Sequence, residues 1–131
     1  YETNRDDAVW TLPHALLLGW TEDMQQLIRA SDIIITKAGG STVMECIAAE
    51  KPIIINKIIP GQEEGNAELV SEFGLGKISR KSSEIVAAIE DITQHYSTYL
   101  QQLKLQSRPQ AAYEILQFLQ ERLTQTTNKE S

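Results

Sequence analysis

The residues best suited to chemistry form a glycine turn, Gly39-Gly40-Ser41-Thr42, between an apolar run and a helical pattern. Glycines let a ligand approach the main chain, and a helix N-terminus presents free N–H groups with roughly half a positive charge. These properties favour phosphate binding, although a tight strand-to-helix turn explains the glycine pair equally well. The turn lacks the third glycine of the dinucleotide fingerprint and the Gly-Lys ending of a Walker loop, which disfavours a nicotinamide enzyme or an ATPase.

Glu45 follows Thr42 by three residues, and this spacing has two interpretations. In a capping box, Thr42 would cap the helix and Glu45 would return a hydrogen bond, which is the better account of the pair in isolation. A carboxylate one turn above a phosphate-binding turn can also accept hydrogen bonds from the two hydroxyls of a ribose. The pattern therefore marks Glu45 as a cap residue or as a nucleoside ligand.

A polar loop at residues 60–66 carries a second group of candidates, Gln62, Glu63, Glu64 and Asn66. Amide and carboxylate groups bind sugar hydroxyls through paired hydrogen bonds. The plain alternative is a solvated loop. The concentration of such groups beside a phosphate-binding turn favours a role in binding.

The remaining reactive residue types have plainer interpretations. His14 and His95 stand in no Ser, Cys or carboxylate pattern for a catalytic triad, and no His/Cys spacing indicates zinc. Cys46 is expected to be a small core residue. Lys37 could neutralise a phosphate, but one lysine at a strand end is more often solvated. The sequence therefore predicts neither a metal centre nor a bound cofactor.

Two apolar runs, residues 32–36 and 51–56, flank a short helix expected at residues 43–50. Continuous apolar runs suit strands that are covered on both faces of a parallel sheet, so the pattern predicts a βαβ unit. Ligands of open parallel sheets bind beyond the carboxyl ends of the strands. The glycine turn and the polar loop must both lie there, and function is expected at that edge.

The other elements are predicted from periodicity and turn residues. Residues 1–13 are expected to be irregular, residues 15–19 a strand and residues 76–79 a short last strand. Further helices are expected at 24–30 after a Thr21 or Asp23 cap, at 67–73 before a left-handed Gly74, at 82–103 along one apolar stripe, and at 109–123. The polar tail, residues 124–131, is expected to fray. The fold class is α/β, with three or four parallel strands in a core over residues 15–79 and two helices over residues 82–123.

Composition limits the range of functions. The 131 residues are 41% hydrophobic with a net charge of −6 and no basic cluster, which fits one acidic globular domain and disfavours nucleic acid as a partner. The longest apolar runs fall far below the roughly 20 residues of a membrane-spanning helix. A single cysteine and the absence of a signal-peptide pattern lead us to expect a cytoplasmic protein.

Four ordered blocks resemble the donor-binding half of the family 28 glycosyltransferases. In one-letter code they read GWTEDM at 19–24, IIITKAGGSTVME at 33–45, KPIIIN at 51–56 and PGQEEGN at 60–66. The family includes monogalactosyldiacylglycerol synthases, processive diacylglycerol glucosyltransferases and the N-acetylglucosamine transferase of peptidoglycan synthesis. The resemblance covers about residues 15–79, and the KAG and GQExGN forms are most similar to the diacylglycerol branch.

The resemblance implies a UDP-sugar donor bound by residues at matching positions. It implies uracil near the backbone of the first block, diphosphate at the glycine turn, ribose at the carboxylate that follows, and the transferred sugar at the polar loop. In that order the implied residues are Trp20, Thr21 and Met24; Gly39, Gly40, Ser41 and Thr42; Glu45; and Gln62, Glu63 and Asn66.

Enzymes of this family have the GT-B fold of two Rossmann-like domains, invert the anomeric centre and use no metal. Their acceptor-binding N-terminal domain, which supplies the general base, is absent from this sequence, so no catalytic base is assigned. The expectation is a partial donor domain of a hexosyltransferase that acts on a lipid acceptor such as diacylglycerol, peripherally at a membrane, when an N-terminal domain or separate subunit completes it. The alternatives are a non-catalytic nucleotide-sugar-binding subunit and an inactive fragment.

Overall fold

The computed structural model describes residues 10–108 and 111–130. Its strands are β1 (Trp10–Leu12), β2 (Ala15–Leu17), β3 (Ile34–Lys37), β4 (Ile53–Lys57) and β5 (Gly76–Ile78). Its helices are α1 (Met24–Ala30), α2 (Gly40–Ala48), α3 (Glu64–Glu72), α4 (Ser82–Gln94), α5 (Tyr96–Gln106) and α6 (Ala111–Glu130). β3, β4 and β5 form a parallel sheet in that order, which confirms the α/β, partial Rossmann-like prediction.

The central strand β4 is buried on both faces. Ile53, Ile54 and Ile55 have no exposed surface, and successive side chains of a strand point to opposite faces. Ile53 and Ile55 belong to one apolar cluster, whereas Ile54 belongs to a second. Because burying each isoleucine contributes roughly 1.5–3 kcal/mol, helices must cover both faces of the sheet.

Different helices cover the two faces. The larger cluster is built mainly by α2 and α3, with one buried residue each from α1, α5 and α6: Ile28, Val43, Cys46, Ile47, Ala67, Leu69, Val70, Leu103 and Ile115. The smaller cluster is built by α4 and the start of α5: Ala88 and Ile92, with Ile85, Tyr96 and Tyr99 packed against them.

The N-terminal segment corrects two expectations. β1 and β2 form a separate antiparallel hairpin, so residues 10–12 are not irregular and the strand at 15–17 does not join the parallel sheet. The two strands are joined by only two residues, and closing so short a loop costs little entropy. Leu16 and Leu17 are consequently exposed. The rest of the predicted irregular segment, residues 1–9, lies outside the described residues.

The middle of the chain follows the prediction with shifted boundaries. α2 begins three residues earlier than expected, at Gly40, and β4 begins and ends later, at Ile53 and Lys57. α1 and β5 occur where they were expected. α3 is followed by Gly74 at φ 65°, which confirms the left-handed glycine that ends this helix.

The predicted helix at 82–103 is two helices, α4 and α5, which meet at His95. Two hydroxyl groups hold α5 in its new direction: Tyr96 donates to the Asp32 carbonyl at 3.0 Å, and Tyr99 donates to the Asp91 carboxylate. The bond from Tyr99, with smaller contributions from Lys77 and His95, lowers the pKa of Asp91. Apolar periodicity continues across the break, so it could not reveal the change of direction.

The last helix, α6, continues to Glu130, past residue 123 where the helical pattern was expected to end. Arg122 pairs with Glu68 of α3 at 2.9 Å and lies 5.0 Å from the centre of the Phe118 ring, which ties this part of α6 to the domain. Pro109, the expected first-turn residue, lies outside the described residues. Within the described ranges, no helix is both long and apolar enough to cross a membrane.

Gly76 should tolerate no side chain. A Cβ built there would lie 1.7 Å from the Ile53 carbonyl oxygen, so we expect Gly76→Ala to lower the free energy of unfolding by about 3 kcal/mol or more. Gly61→Ala is the control, because Gly61 has φ 81° but open space around it and should cost only about 1–2 kcal/mol. Urea unfolding of both variants measures the difference; equal midpoints would contradict the close approach of β5 to β4.

Candidate functional site

The candidate site lies where β3 and β4 end at the same edge of the sheet. The N–H of Ala38 donates to the carbonyl of Lys57 at 2.9 Å, which continues the strand pairing one residue beyond β3. The chain then enters the glycine turn from β3 and the polar loop from β4. The two segments predicted to bind a ligand are therefore neighbours, as the parallel arrangement requires.

The glycine turn is the N-terminus of α2. Gly39 is the N-cap residue, with φ −66° and ψ 131°, and its carbonyl accepts the N–H of Val43 at 3.0 Å. The N–H groups of Gly40, Ser41 and Thr42 precede this first bond and have no acceptor within the helix. They form the positive end of the helix dipole, which is suited to an anion such as a phosphate.

Glu45 is not part of a capping box. Because α2 begins at Gly40, Thr42 is the third residue of the helix rather than its cap. The Glu45 carboxylate instead accepts a hydrogen bond from the Ser41 hydroxyl at 3.3 Å, on a partly exposed part of α2. The structural interpretation that was the better account from sequence is therefore wrong, and the carboxylate is left beside the helix N-terminus.

The polar loop is shorter than expected, because Glu64, Gly65 and Asn66 form the first turn of α3. Asn66 points back to the glycine turn, and its Nδ2 donates to the carbonyl of Ala38 at 3.0 Å. A Cβ on Gly40 would lie 3.3 Å from the same Nδ2. Asn66 thus touches both residues that flank Gly39.

Glu63 is buried, with 7% of its surface exposed, although it carries a charge. Its Oε2 accepts the N–H of Ile59 at 3.1 Å, and its Oε1 lies 3.8 Å from the Nζ of Lys37. A Cβ on Gly39 would lie 3.7 Å from Oε1. Glu63 therefore fixes the polar loop internally and also faces the glycine turn. The expectation that Lys37 is only solvated is incomplete, since it pairs with this carboxylate.

Gln62 is the most accessible of the three residues expected near the sugar. It is exposed, next to Gly61, which adopts φ 81°. Gly61 can take this left-handed conformation without the penalty that a side chain would impose. The turn presents the Gln62 amide at the rim of the loop, while Glu63 and Asn66 face inward.

The residues expected near a base lie at the start of α1, outside this set of contacts. Trp20 and Met24 are 73% and 49% exposed, and the Thr21 hydroxyl accepts the N–H of Asp23 at 3.0 Å. Further along α1, Gln25 lines a cleft together with Glu45 of α2. Glu45 is thus the candidate that faces both α1 and the N-terminus of α2.

The two histidines considered from the sequence, His14 and His95, have roles in local structure. Asp91 accepts the backbone N–H of His95 at 3.0 Å, and His14 occupies the hairpin turn at φ 67°. Among the residues that the structure describes, no three His, Cys, Asp or Glu side chains are grouped closely enough to hold a metal ion.

The fold and site define a class of protein: an α/β domain that can bind an anion at a helix N-terminus, with carboxylate and amide groups around it. The comparisons assign the family. The model of the glycosyltransferase family 28 C-terminal domain matches residues 11–119, and the chain belongs to this family.

Curated relatives agree with this assignment. A processive diacylglycerol beta-glucosyltransferase of Staphylococcus carnosus is 34% identical over 98 residues, 70% of this chain and 25% of that protein. Monogalactosyldiacylglycerol synthase 3 of Arabidopsis thaliana is 35% identical over 112 residues, 82% of this chain and 24% of that protein. The synthase of Spinacia oleracea is 32% identical over 123 residues, 88% and 23% of the two chains. The chain spans about a quarter of the length of these relatives.

Sequence reasoning missed two contacts of the site. Asn66 donates to a backbone carbonyl, that of Ala38. The alanine side chain does not indicate that its carbonyl accepts this bond. The pairing of Lys37 with Glu63 joins residues on different loops. The available signal for this pairing was the opposite charges of Lys37 and Glu63, because their two loops were already expected at one edge of the sheet.

Cys46 should be unreactive in the folded protein. It has no exposed surface, and burial, together with the charge of Glu45, raises its pKa to about 11. At pH 8 only about a thousandth of the thiol is ionised. We expect iodoacetamide to modify Cys46 far more slowly in buffer than in urea. Equal alkylation rates in buffer and urea would show that the thiol is accessible.

The pKa of Cys46 is raised on folding, so its neutral thiol contributes to the free energy of unfolding. This contribution is complete below pH 9 and is lost as the pH rises toward 11.

Proposed function

We propose that this chain supplies the UDP-sugar-binding site of a hexosyltransferase. The observation that carries the proposal is the contact between the two loops at the sheet edge: Asn66 and Glu63 bring the polar loop against a glycine turn whose N–H groups have no acceptor within α2. A nucleotide sugar needs these two sites side by side, one for its diphosphate and one for its sugar. The family assignment supports UDP as the nucleotide.

The proposed roles follow the order of the donor. The backbone near Trp20 and Thr21 would receive uracil with Met24 at its border, and Glu45 would accept the ribose hydroxyls. The N–H groups of the glycine turn, from Gly39 to Thr42, would hold the diphosphate. The polar loop would meet the sugar, with Gln62 as the accessible amide and with Glu63 and the Asn66 Oδ1 behind it.

The chemical contribution of the site would be electrostatic. Transfer leaves negative charge on the departing UDP, and the outward N–H groups of α2 would stabilise that charge without having to reorient. Lys37 adds a cation beside the turn, since its Cε lies 3.6 Å from where a Cβ of Gly39 would be. The N-terminus of α2 supports a transfer that uses no metal ion, and inversion of the anomeric centre is proposed from the family assignment.

The acceptor is proposed to be a lipid such as diacylglycerol, since two of the relatives carry that lipid in their names. The attacking hydroxyl must be held about 3–3.5 Å from the anomeric carbon, with a base in reach of its proton. No residue of this chain is assigned as that base. We propose that an acceptor-binding domain or a separate subunit provides it, on the face of the sugar opposite UDP.

The nucleotide can be tested directly by calorimetry. We expect the chain to bind UDP, and to bind ADP and NAD at least tenfold more weakly, because the base-binding residues at the start of α1 would select uracil. UDP-glucose, UDP-galactose and UDP-N-acetylglucosamine, titrated in parallel, measure what the polar loop adds. Absent binding, or equal affinity for UDP, ADP and NAD, would contradict the proposal.

Glu45→Gln separates a ligand role from a structural role. Glutamine keeps an oxygen that can accept the Ser41 hydroxyl, but it loses charge-assisted bonds to a ribose, which contribute about 1.5–3 kcal/mol. We expect UDP affinity to fall tenfold or more, with little change in melting temperature. Glu90→Gln, an exposed change on α4, is the matched control. If melting temperature falls and UDP affinity does not, Glu45 serves the fold alone.

A further inference from the structure

Asn66 makes a bond between segments that are distant in sequence. Its side chain extends from the first turn of α3 to the carbonyl of Ala38, 28 residues earlier, over a distance of 3.0 Å. Ala38 is fully buried, and its own N–H is bound to Lys57. Ala38 is therefore held from two sides, through its N–H by the end of β4 and through its carbonyl by α3.

This bond acts on the conformation of the glycine turn. The carbonyl of Ala38 and the N–H of Gly39 belong to one planar peptide unit, so fixing the carbonyl also fixes where the Gly39 N–H points. Gly39 in turn caps α2 through its bond to Val43. The direction of the first N–H groups of α2 therefore depends on these consecutive hydrogen bonds.

The Asn66 amide is also packed tightly. A Cβ on Gly40 would lie 3.3 Å from Nδ2 and 3.8 Å from Oδ1. Gly40 thus leaves the space that lets Asn66 reach Ala38. One N–H of the Asn66 amide is committed to the carbonyl, which leaves Oδ1 and the second N–H for a ligand.

We propose that Asn66 is a positioning residue for the diphosphate-binding turn, and that it acts through its hydrogen bond to the Ala38 carbonyl. The inference rests on the proposed function, because it assigns the turn to the diphosphate of a UDP-sugar. It differs from a sugar-contact role in a measurable way. UDP carries no hexose, so a residue that only contacts the sugar has no effect on UDP affinity.

The test is calorimetric titration of the full chain with UDP and with UDP-glucose, in wild type, Asn66→Ala and Gln62→Ala. We expect Asn66→Ala to weaken UDP about threefold to tenfold, which corresponds to the net value of one hydrogen bond. UDP-glucose should be weakened by at least that factor, because any sugar contact of the same side chain adds to the loss. Gln62→Ala should weaken UDP-glucose and leave UDP unchanged. Asn56→Ala, the same truncation at an exposed asparagine, is the matched control and should change neither affinity.

Gly40→Ala provides a second test that retains Asn66. The added methyl group would lie 3.3 Å from Nδ2, so the amide must shift by a few tenths of an ångström and its bond to the carbonyl should weaken. UDP affinity should then fall. In the Asn66→Ala background there is no amide to displace, and Gly40→Ala should then cost less than it does in wild type. Independent losses that add in the double variant would overturn the inference, because the two residues would not act through one bond.

The outcomes separate the inference from the proposed function. Wild type that binds UDP, with Asn66→Ala unchanged toward UDP, overturns the inference and leaves the function standing. Wild type that does not bind UDP overturns both. A folded Asn66→Ala with a lower melting temperature and full UDP affinity would show a role in stability alone, which also overturns the inference. If Asn66→Ala does not fold, Gly40→Ala decides: unchanged UDP affinity in that variant is contrary to the inference.

Discussion

The complete burial of β4 is the constraint on which the rest of the structure depends. Three successive isoleucines with no exposed surface require apolar cover on both faces of the sheet, and the helices on either side of β4 supply it. Neighbouring parallel strands require crossover connections, so α2 and α3 each begin at the carboxyl edge of the sheet. The glycine turn and the polar loop meet there because β3 and β4 pair. The site is thus a consequence of how the core is closed.

Much of this arrangement could be predicted from the sequence, because its causes are local. The continuous apolar runs around Ile35 and Ile54 indicated parallel strands, and Gly74 indicated the end of α3. The expected burial of both strands holds for β4 alone, because β3 lies at the edge of the described sheet and Ile35 is 45% exposed. The edge at which ligands would bind followed from the direction of two strands. The placement of the glycine turn beside the polar loop followed from the same strand directions. The hydrogen bond from Asn66 to Ala38 joins these two segments in the structure.

The features that were missed depend on partners distant in sequence or on the backbone. The hairpin formed because β2 paired with the nearest available strand, which periodicity within residues 15–17 could not indicate. The bend at His95 depends on Tyr96 reaching Asp32, 64 residues away. The start of α2 at Gly40 removed the capping box, since a shift of three residues changes which side chain can cap. Sequence patterns identify helices and strands well, but helix caps and breaks between helices depend on contacts with residues distant in sequence.

Gly76 has an effect beyond the stability of β5. It lies opposite Ile53, where the strands approach so closely that a Cβ would meet the Ile53 carbonyl at 1.7 Å. The observed alignment of the two strands therefore requires a residue without a side chain at position 76. In the same alignment the N–H of Ser79 donates to the Ile55 carbonyl at 2.8 Å, so the close approach at Gly76 also sets where the chain leaves β5.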